Sequence, residues 1–375
     1  MSAVAAAPPP GLATTVRIAG LADNAALLEL TLACPMEGRL SLAIEHGDDF
    51  FALARARGDG QTYVADSGGS IVACASVCRR PAWLAGMPGE MGYVSDVKVA
   101  PSARGQGLSQ RLLAAVAHDE AAREPAPLVG SVTAGNLATD GMLRRFGVRA
   151  PVQRLSNFVA WQLVPFPSTR RPRGVTILRA EPRDEAELAA FLDGYHASRA
   201  FAPVFGDGGL RDILARSPGM ALSSYRIVRH AGRIVAAAAA WDASSLKQTR
   251  IRQLTPGLRW LTTAMRGARR MLPVPRFFAE GELLRLLYIR HAAHTGDGMG
   301  ALRAIVRDIV VDAAEAEMHF AMFTHALNDP VAACVTGMPK LAYRYGLVAG
   351  SNTAAYAPQL AALAGTIQFD DPALS

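Results

Sequence analysis

Lysine is almost missing from this 375-residue chain: Lys98, Lys247 and Lys340 stand alone among 39 lysines and arginines. Cysteine is nearly as scarce. Cys34, Cys74, Cys78 and Cys334 are too few to staple a chain of this length, which excludes a disulfide scaffold of the secreted kind. Long apolar runs are lacking too. The stretch from Ile234 to Trp241 is mostly alanine and falls far short of the roughly 18 residues a membrane helix needs. The opening MSAVAAAPPPG carries no basic n-region, so no secretory leader is expected. Charged residues make up only 19%, but hydrophobic residues make up 50%, which excludes disorder for the bulk of the chain and supplies buried cores. These absences point to a protein of a reducing compartment, the cytoplasm, and the length suggests two domains.

Acid is missing from one stretch in particular. Residues 1–165 balance cations and acids, so the remainder carries the whole formal net charge of +7. Between Ala243 and Ala279 stand Lys247, Arg250, Arg252, Arg259, Arg266, Arg269, Arg270 and Arg276, and no acid. Leu258, Leu261, Met265, Ala268 and Leu272 recur there at helical spacing, which predicts an amphipathic helix. Such a helix is either a solvated surface element packed on its own domain or a dock for an anionic partner. Without aromatics at stacking intervals, nucleic acid is disfavoured, and no membrane partner is expected.

The rest of the chain reads as alternating strands and helices. Asn24–Ala33 and roughly 41–57 are expected to be helical, a hairpin is expected around Ser67-Gly68-Gly69, and Met91–Val99 reads as a strand stopped by Pro101. Leu108 to Ala122 is a helix by its Leu108, Leu112, Val116 spacing, and Leu128–Thr133 and Phe158–Val164 are further strands. A proline- and arginine-rich linker, 166–174, follows. The same order of elements then restarts, which predicts two copies of one architecture.

Chemistry concentrates between Tyr93 and Leu113. A strand runs into Arg104-Gly105-Gln106-Gly107-Leu108-Ser109, and a helix starts at once. That arrangement gathers unpaired N–H groups and the positive end of a helix dipole, and the glycines let a bulky anion come close. No Gly-Lys-Ser/Thr follows, so it is not a Walker loop, and only two glycines are present, so it is not the dinucleotide fingerprint. Phosphate or pyrophosphate binding and a structural tight turn both remain open on spacing alone.

With Val99-Ala-Pro101 before it, this segment resembles the Q/R-x-x-G-x-G/A signature of the GNAT superfamily of acyl-CoA-dependent N-acyltransferases. Ser109 replaces the usual Gly or Ala. The resemblance covers 12–165 and implies a mixed α/β (α+β) fold of two tandem GNAT-like domains, each a mixed central sheet flanked by helices. The first would be the catalytic domain (12–165), the second (175–360) degenerate. In the second, Thr295-Gly-Asp-Gly298-Met-Gly300 has Thr295 where Arg or Gln is expected and Asp297 where phosphate would sit. By implication Arg104 to Ser109 would hold the CoA pyrophosphate, Val97 and Val99 would face the pantetheine arm, and Asn136 would add a cofactor contact. The co-substrate would be acetyl-CoA or another short acyl-CoA, with no metal.

In such chemistry an amine attacks the thioester directly, so the amine must lose a proton and the thiolate must gain one. Asp96 is placed to act as general base through water or to anchor a cationic acceptor; an ordinary hydrogen-bonded strand-end Asp is the alternative. Glu90 is the second choice of base, and Glu37 could select a cationic substrate. Leu143 stands where the family often has a tyrosine acid. The acceptor is a small-molecule or protein amine, and a homo-oligomer is compatible. The rival reading is a protein that senses CoA or binds a partner without turnover.

Overall fold

The computed structural model describes residues 14–36, 40–84, 86–134, 141, 152–351 and 357–374. The first part runs β1 (Thr14–Ile18), α1 (Asn24–Ala33), β2 (Leu40–Glu45), α2 (Phe51–Arg57), β3 (Asp59–Ser67), β4 (Ser70–Leu84), β5 (Met87–Val99), α3 (Leu108–Ala121), β6 (Pro127–Thr133) and β7 (Val152–Leu163). It continues with β8 (Leu178–Arg179), α4 (Glu185–His196), β9 (Arg199–Ala200), α5 (Gly209–Ala215), β10 (Tyr225–His230), β11 (Arg233–Trp241), β12 (Gln248–Leu254) and α6 (Pro256–Ala268). Last come β13 (Leu283–Leu284), β14 (Leu286–His294), α7 (Met299–Glu315), β15 (Phe320–Ala326), β16 (Lys340–Ser351), α8 (Ala357–Ala364) and β17 (Ile367–Gln368).

The class is mixed α/β, and the two parts build one sheet in common. Twelve strands line up as β1-β3-β4-β5-β6-β16-β7-β15-β14-β11-β10-β8. Strand β16, from late in the chain, pairs antiparallel with β6 on one side and β7 on the other. Strand β7, from the first part, lies between β16 and β15. Each half thus lends a strand to the other, a long-range exchange that no local pattern announces.

Local spacing decides the helices. Leu108, Leu112 and Val116 are buried on one face of α3 and pack on Tyr63, Ala65, Ala73 and Val77 of β3 and β4. Removing a side chain such as Leu112 from this layer would cost about 2–5 kcal/mol. In the second part α7 does the same with Leu302, Ile305, Val306 and Ile309 against Ala236, Ala238 and Ile289. The stretch expected as one helix over 41–57 is instead strand β2 followed by α2. Leu42 and Ile44 alternate with Ser41 and Ala43 at period two, and pairing with β12 settles the choice.

Candidate active site

Strand β5 ends at Val99, and Pro101 opens a single 3₁₀ turn, Pro101–Ala103. Gly105 (φ 83°) and Gly107 (φ 71°) then take left-handed backbone, a conformation that costs other residues about 1–2 kcal/mol. A Cβ at Gly107 would also meet Gln110 Oε1 at 3.2 Å. Buried Leu108 pins the start of α3 to the sheet, while Arg104, Gly105 and Gln106 are exposed. Among the described residues no hydrogen bond ends on the N–H groups of Gly105, Gln106 or Gly107. Donors without partners beside the positive end of α3 make an anion cradle.

Strand β5 pairs with β4 over nearly its whole length but with β6 only at Gly92↔Leu128 and Tyr93↔Val129. Beyond Tyr93 the two parallel strands separate into a wedge. Val97 and Val99 lie on this unpaired stretch, their side chains against the α3 core. The wedge leads directly into the glycine loop. Val97 and Val99 thus stand at the end of β5, a few residues before Arg104–Ser109. Glu37 and Asn136 lie outside the described residues, as does Leu143.

Asp96 sits at an irregularity of the β4–β5 ladder, where the register shifts between Cys74 and Ser76, and it has a φ of 51°. Its side chain is 9% exposed and faces two cations, Arg57 Nη1 at 2.8 Å and Lys98 Nζ at 2.6 Å, with the His46 imidazole Nε2 at 3.5 Å. Ser95 Oγ donates to it as well, at 3.1 Å. Burial alone would raise its pKa, but Lys98, Arg57 and His46 together hold the carboxyl well below the usual carboxylate range. A carboxylate so neutralised is a poor proton acceptor near neutral pH. Glu90 is not part of this group. It lies six residues back along β5, roughly 20 Å at strand rise, and pairs with Arg79 at 2.6 Å, which also holds Glu120 at 2.7 Å.

The residues that sequence reading missed come largely from the C-terminal segment. Strand β17 pairs in parallel with β9, and Phe369 N–H donates to Ala200 O at 2.8 Å. Beyond it the chain runs into the buried polar layer, where Arg57 Nε donates to Leu374 O at 2.5 Å and Lys247 Nζ to Pro372 O at 3.2 Å. Asp371 pairs with Arg290 at 2.6 Å, and Asp370 accepts from the Tyr345 hydroxyl at 2.6 Å. Burial pushes the Asp370 carboxyl up to about 6, the Tyr345 bond opposing and Asp371 adding to the rise. The one sequence signal was Asp370-Asp371-Pro372, a charged pair in an otherwise apolar tail.

The second part repeats the wedge. Strand β14 pairs with β15 only from Leu286 to Ile289, and His291 has a φ of 54° beside a register shift between Ala237 and Ala239. Its loop differs at the last donor, where Gly298 N–H is bonded and its match Gly107 N–H has no partner among the described residues. Thr295 N–H donates to Val235 O at 2.9 Å, Gly298 N–H to Thr295 O at 3.0 Å, and Thr295 Oγ1 to Asp297 Oδ1 at 2.8 Å. A Cβ at Gly298 would meet Val235 O at 2.2 Å.

Against known families, residues 25–148 match the model of the acetyltransferase (GNAT) family. That stretch is a GNAT acetyltransferase domain. It contains β5, the glycine loop, α3 and β6, so the open loop and the wedge belong to the GNAT domain itself. Solved structures extend the likeness to the whole chain at the level of fold. A GCN5-related glucosamine N-acetyltransferase region of a fungal multi-domain GH3 β-N-acetylglucosaminidase aligns with a TM-score of 0.59 at 14% identity, over 91% of this chain and 38% of that one. A GCN5-related N-acetyltransferase from Sphaerobacter thermophilus aligns at 0.54 and 14%, over 90% and 96%. Saccharomyces cerevisiae N-myristoyltransferase with bound myristoyl-CoA aligns at 0.59 and 11%, over 92% and 84%. No curated protein sequence matches significantly. A GNAT acetyltransferase domain is therefore part of the chain. No helix among the described residues is long and apolar enough to cross a membrane.

Proposed function

We propose that the chain is an N-acyltransferase that moves an acetyl or other short acyl group from acyl-CoA to an amine. Residues 12–165 take the cofactor, and residues 175–360, joined through 166–174, complete the sheet and shape the acceptor side without binding a second CoA. The observation that carries this reading is the contrast between the two glycine loops. The N–H groups of Gly105–Gly107 are free to meet a pyrophosphate beside Arg104 and the N-terminus of α3, whereas Gly298, which matches Gly107, spends its N–H on the Thr295 carbonyl and Asp297 puts a carboxylate in the second loop. The unpaired edge of β5 through Val97 and Val99 supports an extended arm lying alongside as an added strand.

In the transfer, the amine nitrogen forms a bond to the thioester carbonyl carbon and the C–S bond breaks, its electron pair leaving on sulfur. The amine proton must be taken up and the thiolate protonated. We assign Asp96 to positioning: it holds Arg57 and Lys98 at the wedge and neutralises them. Proton uptake falls to Asp370, a carboxyl near neutrality bonded to Tyr345. The acceptor is a small-molecule or protein amine, and the four unpaired cysteines fit a reducing compartment such as the cytoplasm.

Calorimetric titration with acetyl-CoA tests the reading. One site per chain, followed by transfer to members of an amine panel, is the expected result. No binding, or two equivalent sites, overturns it.

A further inference from the structure

The most exposed apolar surface outside the wedge lies on α6 and the turn after it. The amphipathic helix expected in the acid-free stretch does form, but it buries little. Thr262 is its one fully buried residue among those described. Leu258, Met265 and Ala268 are half-buried, Leu261 and Leu272 are 45% and 58% exposed, and Trp260 and Met271 reach 73% and 89%. Helical bonding continues past Ala268, since Arg269 N–H donates to Met265 O at 3.1 Å and Leu272 N–H to Ala268 O at 2.9 Å. Trp260, Ala264, Gly267 and Met271 therefore follow the i, i+4, i+7, i+11 spacing of one row along the outer face. Arg259, Arg266 and Arg270 form the adjoining row.

Acidic neighbours reach only part of this charge. Arg259 pairs with Glu280 at 2.7 Å, Arg269 with Glu317 at 2.6 Å and Arg276 with Glu282 at 2.6 Å. Arg252, Arg266 and Arg270 are exposed and have no ion pair among the described residues. An exposed tryptophan, methionine and two leucines on neighbouring turns, rimmed by solvated arginines, are the kind of apolar patch that marks an interaction site.

The shape and charge select the occupant. The patch is a convex ridge, so a protein partner would have to supply the groove. A second copy related by a two-fold axis would bring arginines against arginines. A single tryptophan offers no run of stacking platforms for nucleic acid. A lipid headgroup layer accepts a convex ridge: tryptophan sits at headgroup depth, methionine and leucine reach below it, and arginines meet phosphate. We propose that α6 and the turn through Leu272 dock the protein peripherally on an anionic membrane surface. This holds independently of the acyl-transfer reading.

The test uses the full chain with vesicles of phosphatidylcholine alone or of equal phosphatidylglycerol and phosphatidylcholine. Co-sedimentation is expected with the anionic vesicles only, weakening as salt rises, with a blue shift in tryptophan emission that Trp260→Phe removes. Trp260→Ala with Met271→Ala should lower vesicle affinity by at least about tenfold, and Arg266→Glu with Arg270→Glu should abolish sedimentation. All four side chains are exposed, so thermal unfolding and acetyl-CoA titration should stay as in the parent. Failure to sediment overturns the proposal, as does sedimentation indifferent to Trp260 and Met271. Tighter binding to a polynucleotide than to vesicles, or dimerisation lost in the Trp260 variant, overturns it in favour of those partners.

Discussion

Two loops in this molecule join a strand to a helix through glycines at matching places, and they have opposite fates. At Gly107 the backbone is left-handed and its N–H has no partner among the described residues; at the matching Gly298 the backbone is right-handed and the donor turns back onto the Thr295 carbonyl. Both loops carry glycine at their second and fourth places, Gly105 and Gly107 in one and Gly296 and Gly298 in the other. What differs is whether the backbone satisfies itself, since a donor already bonded has nothing to offer an anion. A glycine motif is therefore evidence of a binding loop only when its hydrogen bonds are left open.

A second pair teaches the same lesson about carboxylates. Asp96 and Asp370 are both buried, which favours the neutral acid in each case. Lys98, Arg57 and His46 reverse that for Asp96, while Tyr345 and the like charge of Asp371 leave Asp370 raised to about 6. Burial alone does not say which carboxylate can exchange a proton near neutral pH.

The largest expected effect comes from Asp96→Asn. Arg57 and Lys98 would stay buried without a counter-ion, at a cost of about 3–5 kcal/mol, read as a lowered urea midpoint. An unchanged midpoint with lost transfer would return Asp96 to the role of base. Because its folded pKa is depressed, the stability Asp96 contributes is present above the unfolded value near 3.8 and disappears as pH falls through the lower folded one.

Asp370 has the opposite sign. Its folded pKa is raised, so its contribution is full below about 3.8 and is lost as pH rises through about 6, on the order of 3 kcal/mol in total. Asp370→Asn should flatten the stability profile across that window and depress transfer at neutral pH. A profile identical to the parent's would remove Asp370 from the proton path.

Gly107→Glu places an anion and a strained φ inside the open loop and should weaken acetyl-CoA binding by about a hundredfold. Gly107→Ala, which carries the strain without the charge, separates the two contributions in the same titration. Smallest of all is Asp297→Ala. With Thr295 and Gly298 N–H groups still bonded within the protein, no second CoA site should open, and a stoichiometry of two would break the comparison between the loops.

Much of the first domain was legible because its signals are local. The spacing of Leu108, Leu112 and Val116 specifies α3, and Pro101, Gly105 and Gly107 specify the turn into it. Among the described residues up to Leu163 the element order was readable for the same reason, except at 41–57. There an alternating Leu42, Ala43, Ile44 segment took its strand form from β12, some 200 residues away.

What the sequence determined by itself, then, is the glycine turn into α3 and the helices with one buried face, because each depends on side chains within a few residues of one another. The tertiary structure alone decided three things: the exchange of β7 and β16 within one sheet, the pairing of Asp96 with Arg57 and Lys98, and the insertion of Asp370–Leu374 into the buried polar layer. Arg57 meets Leu374 across more than 300 positions. Such pairings follow from how the two halves share backbone hydrogen bonds and bury charge together, and periodicity along the chain carries no record of them.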